Sequence, residues 1–238
     1  MKNKIIVSGC SYSAWGYPLY LKEKYKLDVE SLAISGQSNY SIIRKIYDYI
    51  TNEDCKNTIF ICQLTWLHRI GFYHDITNCW LDYQPNFINL IPKYFDQPNK
   101  LEMKYHNENV KVNEIIKINK DEYKELENMY KTYLKYVHNE SETFVNLLYK
   151  IDTLESFVEK TGNKILFIYW PLIDNEIQIK AFKNRNFFNI DGEYSMLNWS
   201  TKNKMLTKID SHLSNYGHIH FSEILQKYLI TNLKDYSL

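Results

Sequence analysis

The sequence predicts an α/β fold: a three-layer α/β/α sandwich around a central parallel sheet of about five strands, with an insertion after strand three. Three observations predict it. Short β-branched runs alternate with amphipathic stretches at the pace of strand–crossover–strand units. The early runs end in glycine or other small residues, as strands do where they pass the chain to a loop. The 238 residues carry 16% aromatics and 24% charged side chains, a composition that builds a core without disulfides or metals. The whole chain, residues 1–238, reads as a single domain.

Lys4-Ile-Ile-Val-Ser8 is the first strand, too short and too β-branched for a helix, and Gly9-Cys10-Ser11 closes it. Ser13 to Tyr25 places Trp15, Leu19, Leu21 and Tyr25 at helical spacing, with Pro18 near the start. Val29 to Ile34 reads as strand two, closed by Ser35-Gly36. Ser38 or Asn39 can cap the next helix, whose inner face is Ile42, Ile43, Ile46, Tyr47 and Ile50. Thr58 to Leu64 is strand three. The rhythm then stops: residues 66–120 show no clean period and contain Pro85, Pro92 and Pro98, which suits an insertion or lid. Residues 121–160 are helical in character, broken near His138–Ser141 and stopped at Thr161-Gly162-Asn163. Lys164 to Trp170 is strand four, and Phe187 to Ile190 a short strand five. Ser214 or Asn215 opens a last amphipathic helix reaching about Leu233.

Composition narrows the function classes. A formal net charge of +1 gives no electrostatic case for nucleic acid or an anionic membrane as partner. No stretch approaches the ~20 apolar residues that span a bilayer. Cys10, Cys55, Cys62 and Cys79 form no CxxC pair or regular spacing, so neither a zinc site nor a disulfide framework is expected, and no cofactor is implied. The N-terminal apolar run is too short for a signal peptide, and the expected location is cytoplasmic. No Gly-x-Gly-x-x-Gly follows strand one and no Gly-Lys-Ser/Thr occurs, which argues against a nucleotide-binding domain.

The chemistry gathers where an open parallel sheet binds its ligands, outside the carboxyl ends of its strands. Ser11 lies just past strand one, Gly36 past strand two and Thr65 past strand three, while Asp210 and His212 precede the last helix. A serine hydroxyl is protonated at neutral pH and attacks a carbonyl only with a base beside it and a group orienting that base. Ser11, His212 and Asp210 supply those three roles. The Ser11 and Gly36 N–H groups are candidate oxyanion donors, with a side-chain donor from Asn39, Gln63 or Thr65. Arg69, just beyond strand three, suits either a structural ion pair or a carboxylate or sulfate on a substrate, and Gln63 and Thr65 border the same place. His218 and His220 fall inside the last helix, where packing or exposure explains them.

Ile5-Ile-Val-Ser-Gly-Cys-Ser-Tyr-Ser13 resembles the first block of SGNH (GDSL-like) hydrolases, with Cys10 in place of the usual aspartate. Leu32-Ala-Ile-Ser-Gly-Gln-Ser-Asn39 looks like the second block, and Asp210-Ser-His-Leu-Ser-Asn-Tyr-Gly-His218 is similar to the fifth. The resemblance covers the strand framework and not residues 66–160. It departs in two places. Asp210 and His212 stand two apart rather than three, a spacing similar to that in alginate-acetylating members of the superfamily. Gln63-Leu-Thr-Trp66 stands where the third block has Gly-x-Asn-Asp, so Asn39 or Gln63 would have to replace its asparagine donor.

The resemblance implies a flavodoxin-like sandwich and a serine esterase or deacylase acting on an acyl ester, of a small molecule or a carbohydrate. The same residues would serve an O-acyltransferase in which a sugar hydroxyl replaces water. A binding or assembly module that keeps the fold is the third reading.

Overall fold

The computed structural model describes residues 4–14, 16–74, 79–83, 120–207 and 212–232. Its elements in chain order are β1 (Lys4–Ser8), α1 (Ser11–Ala14), α2 (Tyr17–Glu23), β2 (Asp28–Ser31), α3 (Asn39–Asn52), β3 (Ile59–Leu64), β4 (Ile70–His74) and β5 (Cys79–Tyr83). There follow α4 (Lys120–Tyr136), α5 (Glu140–Lys160), β6 (Lys164–Tyr169), α6 (Glu176–Lys183), α7 (Met196–Lys202) and α8 (Asn215–Asn232).

Four strands form a parallel sheet in the order β2-β1-β3-β6. Parallel strands need both faces covered, and the alternation along each strand shows how. Ile5, Val7, Ile59, Ile61, Leu166 and Ile168 point into one core with Leu21 of α2 and Phe221, Leu225 and Leu229 of α8. Ile6, Phe60, Cys62, Ile165 and Phe167 point the other way, against Ile42 and Ile46 of α3 and Leu147, Ile151 and Leu154 of α5. The result is the three-layer arrangement that the alternation of runs predicts, with the flavodoxin-like form that the resemblance implies.

The expected fifth strand is reduced. Phe187 and Ser195 each make a single parallel bridge, to Phe167 and Tyr169. Between them Asp191 (φ 51°) and Gly192 (φ 92°) turn the chain back on itself, and among the described residues no continuous ladder forms beyond β6. The Ser13–Tyr25 helix is split in two at Gly16, with Pro18 in the first turn of α2, where its missing N–H costs nothing. Helices α6 and α7 stand where no period is readable. Asn175 caps α6 by accepting from Gln178 N–H, and Ser195 caps α7 by accepting from Asn198 N–H.

Within the aperiodic segment, β4 and β5 pair as an antiparallel ribbon. Most of the expected lid at 66–120 lies outside the described residues. The helical segment divides into α4 and α5 at Val137–Asn139, and Asn139 caps α5 by accepting from Glu142 N–H. Among the described residues no helix is long and apolar enough to cross a membrane.

Candidate active site

The sheet order reverses between β1 and β3: from β1 the chain moves outward to β2, then returns to the other side for β3. An open α/β sheet leaves a crevice outside its strand ends at such a switch point. Ser11 follows β1 and Thr65 follows β3, so both stand at its rim.

Ser11 is the first residue of the one-turn helix α1, folded back by Ser13 and Ala14 N–H groups donating to the Cys10 carbonyl at 3.0 Å. The residue is 9% exposed. His212 comes from the far end of the chain, on a segment closed against Met205–Thr207. Thr207 N–H donates to the His212 carbonyl at 2.7 Å, Ser214 N–H donates to the Met205 carbonyl at 2.8 Å, and Leu206 bridges Leu213. Ser214 Oγ then accepts from Gly217 N–H at 3.0 Å and so caps α8. A Cβ on Gly217 would lie 2.6 Å from the Met205 carbonyl oxygen, so glycine lets the helix seat against this segment. With the segment fixed, His212 Nε2 lies 3.1 Å from Ser11 Oγ, across 201 positions of sequence.

Tyr12, next to the nucleophile candidate, forms the wall behind the imidazole. Its ring stacks on His212 at 4.6 Å between centroids and on Trp170, at the end of β6, at 3.4 Å. Sequence reasoning passed over both aromatics, although Tyr12 adjoins Ser11 and Trp170 ends a strand at the same sheet edge.

The turn after β2 is held beside β1, with Leu32 N–H donating to the Val7 carbonyl and Ile34 N–H to the Gly9 carbonyl. Gly36 is its third residue, at φ 85°, with Gln37 N–H closing back on the Ile34 carbonyl at 3.5 Å. That is the position of a four-residue turn that requires left-handed backbone, hence the glycine. Among the described residues the Gly36 N–H meets no backbone carbonyl.

The other expected site residues are placed differently. Asn39 Nδ2 donates to the Thr65 carbonyl at 2.9 Å, and Thr65 N–H donates to Asn39 Oδ1 at 2.7 Å. Asn39 is thus a clamp tying the start of α3 to the end of β3. Gln63 is fully buried; its Oε1 accepts from Ser13 Oγ and its Nε2 faces Cys10 Sγ at 3.5 Å. It braces the β1–α1 turn from beneath. Thr65 is also fully buried. Arg69 is half-buried, Nη1 donating to the Gln37 carbonyl at 3.4 Å, and its Nε is enclosed without an acceptor. Asp210 lies outside the described residues.

Of the two histidines inside α8, His218 is buried against Gly16 and His220 is partly exposed. Burial, with His212 nearby as a second cause, holds the His218 imidazole down at about 4. Burial also pushes the Cys62 thiol well above the ordinary range, as its place in β3 leads one to expect. No group of three or more His, Cys, Asp or Glu side chains arranged to hold a metal occurs among the described residues.

No family profile matches the chain, and no curated protein matches it in sequence. Solved structures are similar to it at low identity. TesA aligns at 10% identity over 95% of this chain and 98% of its own, with a TM-score of 0.48. A protein of Desulfitobacterium hafniense assigned to the G-D-S-L lipolytic family aligns at 11% identity over 95% and 99%, with a TM-score of 0.47. The acetyl xylan esterase AlAXEase aligns at 10% identity over 95% and 100%, with a TM-score of 0.36.

Proposed function

We propose that the protein is a serine esterase or deacylase acting on an acyl ester of a small molecule or carbohydrate. The observation that supports this most is the 3.1 Å contact between Ser11 Oγ and His212 Nε2, within the reach needed for proton transfer.

In this reading the imidazole carries its proton on Nδ1 and accepts the hydroxyl proton at Nε2 as Ser11 Oγ bonds to the ester carbonyl carbon. The carbonyl oxygen becomes an oxyanion, received by the Ser11 N–H at the start of α1 and the Gly36 N–H of the β2 turn. Each such donor is worth about 2.7–4 kcal/mol in the transition state. Collapse of the tetrahedral intermediate expels the alkoxide, which takes the proton from Nε2. Water, deprotonated by the same nitrogen, then hydrolyses the acyl-enzyme. Asp210, two residues before the base, has the chemistry to fix its tautomer. Asn39 and Gln63 act beneath the site as braces, because their amides are engaged with Thr65, Ser13 and Cys10.

The test is hydrolysis of p-nitrophenyl acetate together with labelling by a fluorophosphonate. Wild type should hydrolyse the ester and take the label at Ser11, and Ser11→Ala should lose about 10³-fold or more in kcat/KM and all labelling. Undiminished hydrolysis by Ser11→Ala sinks the mechanism.

A further inference from the structure

A second polar cleft lies beside the turn that carries Gly36. It has a volume of about 250 Å³ and is walled by α3, α4, α5 and the segment after β3. Its lining includes Arg69 and Lys150, with Asn39, Tyr133, Thr143 and Asn146 as neutral polar groups, and no carboxylate among the described residues. Lys150 reaches in over the Tyr40 ring, its Nζ 5.1 Å from the ring centroid.

Arg69 is poorly satisfied where it stands. Among the described residues its side chain makes one hydrogen bond, to the Gln37 carbonyl, long at 3.4 Å, and its Nε is enclosed without an acceptor. No ion pair joins Arg69 to a carboxylate among the described residues. Enclosing a guanidinium N–H with no acceptor is unfavourable, and a planar anion is the partner its fork geometry fits. The positive field is felt next door: His68 is held below its ordinary range by burial first, then by Arg69 and His138.

We infer that this cleft binds a carboxylate of the substrate, between Arg69 and Lys150, so that the preferred ester belongs to an acidic molecule. The cleft adjoins the catalytic crevice through two links. Arg69 is tied to Gln37, the neighbour of Gly36, and Asn39 lines the cleft while clamping Thr65. The inference builds on the esterase reading for what the anion is attached to, but anion binding itself does not need Ser11.

Galacturonate and galactose serve as paired probes, because they differ only in the carboxylate. Titrated calorimetrically into Ser11→Ala, galacturonate should bind at least about tenfold more tightly than galactose, the order expected of a charge-assisted contact. Arg69→Gln in the same background should remove that preference. Lys150→Glu, at an exposed helix position where folding is not at risk, should remove it too. Equal binding of the two sugars, or a preference that survives either substitution, overturns the inference. Failure of the esterase reading would show separately, as wild type that hydrolyses no p-nitrophenyl acetate.

Discussion

The carboxyl edge of the sheet has two halves that treat their polar groups in opposite ways. Past β1, Ser11 and His212 meet through one hydrogen bond, with an aromatic wall behind the imidazole. Around the end of β3, two buried amides are committed to neighbouring groups. The Asn39 amide takes both the N–H and the carbonyl of Thr65, and the Gln63 amide is held between Ser13 and Cys10. A hydroxyl beside an imidazole, with no other hydrogen bond among the described residues, is free to react. An amide with both ends committed can only hold geometry. The difference teaches that residue type at a strand end marks a candidate, and the partners already attached to it decide the role.

The sharpest way to break this comparison is at the reactive half. His212→Ala should lower kcat/KM about as far as Ser11→Ala does, by about 10³-fold or more. The double variant should be scarcely worse than either, because the two act as one unit. Fully multiplicative losses in steady-state kinetics would mean that they do not.

Next in size is a stability effect from the neighbouring imidazole that does no chemistry in this reading. His218 is held at about 4 in the folded chain, against about 6.5 for an unperturbed histidine. Between those values the unfolded chain binds a proton that the folded chain refuses. The stability this group contributes is therefore complete above about pH 6.5 and lost as the pH falls towards 4, by up to about 3 kcal/mol. Urea unfolding of His218→Gln should show a shallower fall over that window than wild type. Parallel curves would show that the buried imidazole is protonated when folded.

The braced half should respond through stability before chemistry. Asn39→Ala leaves the buried Thr65 N–H and carbonyl without their partners, at a cost of about 2–4 kcal/mol. A lowered urea midpoint should accompany reduced turnover with unchanged labelling of Ser11 per folded molecule. Unaltered stability would remove Asn39 from the clamp. The smallest effect is expected at Tyr12→Leu, which keeps an apolar contact but loses the stack on His212 and Trp170, worth about 1 kcal/mol.

Much of this was legible in the residues, and the parts that were not have physical reasons. Strands β1, β3 and β6 read clearly because a strand buried on both faces is a continuous apolar run. Helix α3 read clearly because Ser38 caps a regular apolar stripe. Helices α6 and α7 escaped because seven or eight residues give barely two turns of period, and only the caps at Asn175 and Ser195 betray them. The fifth strand was over-read at Phe187–Ile190: two aromatics and an isoleucine give the pattern, but the turn at Asp191-Gly192 cuts the ladder to isolated bridges. At the site, chain order marked Ser11 and His212 as candidates, and the fold brings their side chains into contact. It could not separate a donor amide from a clamping one, since Asn39 and Gln63 differ from an oxyanion donor only in what they already hold. Tyr12 and Trp170 were invisible as a pair because nothing in sequence announces a stack between positions so far apart.

The 201 positions between Ser11 and His212 set an order of events during synthesis. A nascent chain emerging from the ribosome displays the β1 turn almost at once, but without the imidazole that meets it in the folded chain. Only after the segment ahead of α8 has left the exit tunnel and docked can His212 reach Ser11. On the proposed esterase mechanism, a fragment that ends before His212 would be silent, and activity would arise as the segment ahead of α8 docks.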